Sequence, residues 1–330
     1  MSRSFRVSAA IAVAVIVGGI LAACAPATDP SPSVSPSATR TQTPEPVPTA
    51  SEPAVAFGGD CAAVLDADAL TAAMGEQMNS WDPVWEDGAP AKLGGVRCAW
   101  TSEQYLSVSA AAWVYPLDVL DAEWVVGEGG NSCDADTHSC IASAVFGDAW
   151  VGIRLSSDRA ESLIENARPL VDEIGAKLAG EPAPVADARS GWWNAAPTCA
   201  DLAAALETQG IGLTVQGDYP AAAPAFAGGP LERGCAASAT VDGVTFQTHV
   251  VLRAGAAAGV AAVLALDPDA AVAADGRTFA VTIEQYPFDG GSGLMLGDDG
   301  ANLVELSLFN GEPTAQDPVL LAAILDALAP

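Results

Sequence analysis

Basic side chains and histidine are scarce in this sequence of 330 residues: 13 Lys and Arg stand against 41 Asp and Glu, with two His. A formal net charge of −28 and an isoelectric point near 4.1 exclude a chain built to neutralise nucleic-acid phosphates. They also exclude a polybasic contact with anionic lipid. A Ser-His-Asp triad would have to recruit His138 or His249. His249 falls in an alternating strand pattern and reads as a strand-surface residue. The chain contains no Ser-x-x-Lys, His-Glu-x-x-His, phosphate-cradling Gly-x4-Gly-Lys or dinucleotide Gly-x-Gly-x-x-Gly pattern. Ser292, in Gly290-Gly291-Ser292-Gly293, lacks the second glycine of a nucleophile elbow. Aromatics make up 6% of a composition that is 50% hydrophobic, so much of the apolar count is alanine.

Long apolar runs are also lacking beyond the first. Arg3 and Arg6 precede an uncharged run, Val7 to Leu21, shorter than the ~20 residues a spanning helix needs. It ends in Leu21-Ala22-Ala23-Cys24, a bacterial lipobox pattern in which small residues fit a signal-peptidase cleft and Cys24 receives the lipid. Residues 1–23 are then a lipoprotein signal peptide. Their removal takes away Arg3 and Arg6 and leaves a charge of −30. Residues 24–54 read as the lipidated Cys and a stalk, since positions 25–53 hold eight Pro and ten Ser or Thr with four charges. Such a segment has too little apolar surface to collapse and reaches up to ~90 Å when extended. The expected location is the outer face of the cytoplasmic membrane, with the membrane contacted through the N-terminal lipid.

The other cysteines are Cys61, Cys98, Cys133, Cys140, Cys199 and Cys235, an even number that outside the membrane reads as disulfides. An internal repeat favours one pairing. Cys61 and Cys98 are 37 apart, and Cys199 and Cys235 are 36 apart. Each first Cys opens an Ala/Leu helical run that ends at Gly75 or Gly210. Each second Cys follows a glycine-rich turn and leads into alternation, Tyr105 to Val114 and Val244 to Leu252. Trp150–Leu155 matches Leu303–Leu308, and a terminal helix follows each. The first, striped by Leu163, Ile164, Ala167, Val171, Ile174 and Leu178, is expected to bend or restart at Pro169. The second is expected to have Asp317 as N-cap and Pro318 at N1.

The expected fold is α+β, with two tandem related domains, 55–180 and 191–330, joined by a linker at 181–190. Each is an antiparallel sheet packed with helices, stapled by Cys61–Cys98 or Cys199–Cys235. Cys133 and Cys140 then pair by elimination. A metal site made of these two with His138, Asp134 and Asp136 fits no zinc spacing, and exported thiols oxidise. No metal or cofactor is expected.

Cys61, Leu65, Asp66, Leu70 and Met74-Gly75, followed by Cys98-Ala99-Trp100, resemble a recurrent pattern in actinobacterial secreted lipoproteins, a family of unknown function. The resemblance implies a Cys-led helix, a Cys-x-Trp strand, a small α+β sheet and export, and no catalytic residues. The second copy departs from it at Ala237, which stands where Trp100 does.

Trp100, Trp113 and Trp150 sit in strand patterns and belong to the core. Trp81 and Trp85, in the Pro/Asp/Gly-containing stretch Asn79–Gly88, either pack beneath it or stack on a sugar or a protein partner. The acid pairs Asp66/Asp68, Asp134/Asp136, Asp267/Asp269 and Asp298/Asp299 complete no EF-hand loop. Together these features point to a non-catalytic binding or interaction module at the cell envelope, with an unidentified envelope ligand or protein and no nucleic acid. Two alternatives stand beside it. One is an envelope glycan hydrolase using paired carboxylates, and the other is a sensory or structural accessory protein.

Overall fold

The computed structural model describes residues 54–329, apart from 82–87, 103, 105–106, 128–130, 135–137, 159–162, 188, 221–223, 285–291 and 309–310. The leader, Cys24, the stalk up to residue 53 and Trp85 lie outside the described residues. Among the described residues no helix is long and apolar enough to cross a membrane.

The first half contributes six strands: β1 (Met78–Trp81), β2 (Val96–Ser102), β3 (Ser109–Pro116), β4 (Ser132–Asp134), β5 (Ser139–Phe146) and β6 (Ala149–Ser156). They form one antiparallel sheet in the order β1-β2-β3-β6-β5-β4. The second half contributes β7 (Gly212–Pro220), β8 (Glu232–Val241), β9 (Val244–Arg253), β10 (Ala271–Ala274), β11 (Arg277–Glu284), β12 (Ser292–Asp298) and β13 (Leu303–Leu308). Its order is β10-β11-β12-β13-β9-β8-β7. Read from β7, this is the first sheet with one further edge strand. In both sheets the last strand inserts beside the third, so two meanders zip together at the centre.

Register carries the duplication down to single residues. One row across the first sheet reads Cys98, Ala112, Ile153, Ala142. The matching row of the second reads Cys235, Val250, Leu306, Met295. The staples match as well: Cys61–Cys98 and Cys199–Cys235 have Cα separations of 5.5 and 5.6 Å. The expected Cys133–Cys140 bridge also forms, between directly opposed residues of β4 and β5.

Helices differ from expectation in instructive ways. The run from Cys61 to Met74 is two helices, α1 (Cys61–Val64) and α2 (Ala67–Met74), because Leu65 turns extended. Asp60 and Asp66 cap them by accepting from the backbone N–H of Ala62 and Asp68. A short α3 (Gly88–Lys92) precedes β2 and α4 (Ala122–Gly127) follows β3. Helix α5 (Leu163–Leu178) runs unbroken through Pro169, whose ring faces solvent, so packing of Ala167, Leu170, Val171 and Ile174 holds both flanks in line. Gly175 lets α5 lie against the sheet, since a Cβ there would meet the Phe146 ring at 2.2 Å. In the second half come α6 (Cys199–Glu207), α7 (Ala258–Leu266) and α8 (Asp317–Ala327). Asp317 is the first residue of α8 rather than its cap. Its buried carboxylate accepts from the N–H and hydroxyl of Thr314.

The strand expected over Tyr105–Val114 runs Ser109–Pro116, and its two faces bury different things. Val114, Ala112 and Ala110 face α2 and α5 in a core with Trp100, Val151, Ile153 and Leu155. Ala111, Trp113 and Tyr115 face the other way, into a second core with Trp150, Phe279, Leu252 and α8. That double burial is why β3 is apolar on both faces. It also joins the two domains through one shared core. The linker is packed too: Val185 N–H donates to Ala54 O and Asp187 N–H to Lys92 O.

Candidate functional site

A cleft of about 180 Å³ opens where the halves meet. Its floor comes from alternate residues of the first sheet. Arg97 on β2 pairs with Trp113 on β3, which pairs with Gly152 on β6, and Arg154 lies one step along the same face opposite Ala111. Its opposite wall comes from Phe226, Leu231, Glu232 and Arg253 of the second half. That wall is stitched in place by backbone. Leu120 and Phe226 form a β-bridge, Ala227 N–H donates to Val119 O, and Asp121 N–H donates to Ala225 O. Arg189 of the linker donates to Ala227 O and Val119 O, one carbonyl from each half. Phe226 thereby sets its ring edge-on to Tyr115, 5.2 Å between centroids.

Charge in the cleft is organised as a chain. Glu305, with its side chain 5% exposed, accepts from Arg253 Nε, and Arg253 Nη1 donates to Glu232. Glu232 in turn lies 3.9 Å from Arg97, so this carboxylate links the two halves. Arg154 stands outside the chain. Among the described residues no carboxylate or carbonyl accepts from its guanidinium, which lies 5.8 Å from the centre of the Trp113 ring. Burial, and then the positive charge of Arg97, hold the Arg154 pKa below its ordinary value, while Glu232 acts in the opposite direction. It remains a cation regardless, as arginine does in proteins. Burial likewise pushes the Tyr115 hydroxyl up, so it neither donates nor takes a proton near neutrality.

These parts can orient and neutralise an anion. Among the described residues they bring a single carboxylate to the cleft lining, Glu232; Glu305, which shares Arg253 with it, is buried. Glu232 is already engaged by Arg253 and faced by Arg97. The other acid pairs work locally. Asp267 caps the turn at Pro268 by accepting from Asp269 N–H, and Asp299 accepts from Ala301 and Asn302. Among the described residues no three His, Cys, Asp or Glu converge on a metal-sized point. Cys133 and Cys140 are consumed by their bridge.

Trp81, expected in a loop, ends the edge strand β1 opposite Ala99, 36% exposed and apart from the described lining of the cleft. Trp100, Trp113 and Trp150 are buried as expected. His249 lies half-buried on β9, and burial lowers its pKa. Sequence reasoning passed over Arg97, Arg154 and Arg253. The signal was there in retrospect: in a Lys- and Arg-poor chain these three sit inside or at the end of apolar strand patterns, where a charge needs a reason. No protein-family model matches the chain, and searches of curated proteins and of solved structures give no significant match.

Proposed function

We propose that the protein is a lipid-anchored, extracytoplasmic binding module that does no chemistry and holds its ligand in the cleft between its two domains. The anchor reading rests on the lipobox at Cys24, the Pro/Ser/Thr-rich stalk and the likeness to actinobacterial secreted lipoproteins. The site reading rests on one observation above the others: Arg154, half-buried and without a carboxylate partner among the described residues, lines a cleft whose walls come from both halves. Burying a cation without a counter-charge costs stability, so a fold that keeps one in a cleft between its halves is arranged for something that supplies the charge.

Fractionation of the producing cells tests the anchor. Full-length protein partitions with membranes and into the detergent phase, and Cys24→Ser appears in the medium; a full-length protein already free in the medium overturns the anchor. Turbidity of purified cell-wall glycan tests the absence of catalysis. The purified full chain leaves it unchanged, and clearing that is lost in Glu232→Gln overturns the non-catalytic reading.

A further inference from the structure

The cleft's chemistry narrows the ligand class. Its volume of about 180 Å³ suits a small molecule rather than a polysaccharide or an extended peptide. Arg154 offers a planar fork of donors, held over the Trp113 ring. Beside it the cleft is lined by the apolar side chains of Pro90, Leu93, Tyr115 and Phe226, so the lining mixes charge with apolar surface. Arg97 and Arg253, the other two cations of the lining, already face Glu232. One guanidinium without a carboxylate partner among the described residues, set beside Trp113, Tyr115 and Phe226, suits a ligand with one oxyanion and a flat apolar body.

We propose that the junction cleft binds small organic monocarboxylates carrying a flat apolar ring, with Arg154 taking the carboxylate and Trp113, Tyr115 and Phe226 enclosing the ring. This deepens the binding reading and rests on it. The carboxylate completes the pair that Arg154 lacks, and the ring displaces water from apolar walls. Both halves contact the ligand, so occupancy also fastens the two domains to each other.

Calorimetry and thermal melting of the purified full chain in non-ionic detergent test the proposal with three probes: benzoate, its neutral isostere benzamide, and inorganic phosphate. Benzoate is expected to bind and raise Tm, with benzamide and phosphate each at least about tenfold weaker, one lost charge-assisted hydrogen bond being worth that much. Arg154→Gln is expected to weaken benzoate at least about tenfold, Arg154→Lys less so, and Arg277→Gln, whose partner is Asp326 on α8, not at all. Tm without ligand should be unchanged or raised in Arg154→Gln, because a buried charge beside Arg97 is removed, and this separates loss of the site from loss of the fold. Equal binding of benzoate and benzamide, or undiminished binding by Arg154→Gln, overturns the proposal. So does failure of benzoate to bind the wild-type chain. Phosphate binding in preference to benzoate, lost in Arg154→Gln, overturns the carboxylate class while leaving the binding module standing.

Discussion

Glu305→Gln isolates what holds the cleft's second wall. Glu305 and Arg253 are 5% and 11% exposed at their side chains, so both charges have left water. Removing one partner of a buried pair costs about 3–5 kcal/mol, chiefly because the other charge stays behind uncompensated. Arg253 keeps Glu232, whose side chain is 36% exposed, so the expected cost is at the lower end, about 3 kcal/mol. The molecule contains its own control. Arg277 and Asp326 are paired at 33% and 60% exposure, and Asp326→Asn should cost below about 1 kcal/mol. Urea unfolding of wild type and both variants gives the comparison, read as a shift in midpoint at constant slope. Adding 0.5 M salt should shrink the Asp326→Asn effect and leave the Glu305→Gln effect nearly intact, because buried pairs are poorly screened. Equal costs for the two variants would refute the claim that the chain Arg97–Glu232–Arg253–Glu305 is a desolvated framework. Glu305→Leu combined with Arg253→Met should be milder than Glu305→Gln alone, since Arg97 still answers Glu232.

Other perturbations probe the rest of the fold. Phe279→Ala, at a fully buried position of the shared core, should cost about 3–5 kcal/mol in the same urea assay. Gly255→Ala places a Cβ 2.2 Å from the Trp192 ring at a backbone φ of +78°, so it should lower Tm by several degrees where most surface substitutions move it little. Removing Cys199–Cys235 (both to Ala) should cost about 4 kcal/mol in the chain-entropy account, and removing Cys133–Cys140, which closes a far shorter loop, about 2.5 kcal/mol. His249 is held below its ordinary pKa by burial, so the unfolded chain binds its proton first as pH falls below about 6.5. Stability should therefore drop from pH 7.5 to 5.5 more steeply in wild type than in His249→Gln, measured as the difference in urea midpoint.

The disulfides were legible because each stapling pair repeats one local grammar, a Cys-led helix and a Cys-led strand about 36 residues apart. The tryptophans Trp100 and Trp150 were legible through strand alternation. Sheet order was not, because the pairing of β3 with β6 and β9 with β13 joins residues from about 33 to about 56 positions apart that carry no matching local mark. Edge strands β1, β4 and β10 are three or four residues long, too short for a period to emerge. The cleft stayed hidden for the same reason. Arg97 and Arg154 become neighbours only through β3 between them, and Glu232 and Arg253 reach them only when the halves dock. The linker at 181–190 read as a spacer from its prolines, whereas its backbone hydrogen bonds and Arg189 make it a clasp.

The shared core also sets a timetable. A chain that emerges N-terminus first can close its first sheet once α5 is out, with about 150 residues still to come. Where emergence keeps pace with synthesis at ~5–20 residues per second, that interval lasts roughly 8–30 s. Throughout it Trp113, Tyr115 and Trp150 have nothing of the second half to lie against. The nascent chain thus spends its youth with an aromatic face open to the wrong company, and a chaperone that covers that face would be needed for seconds, not milliseconds.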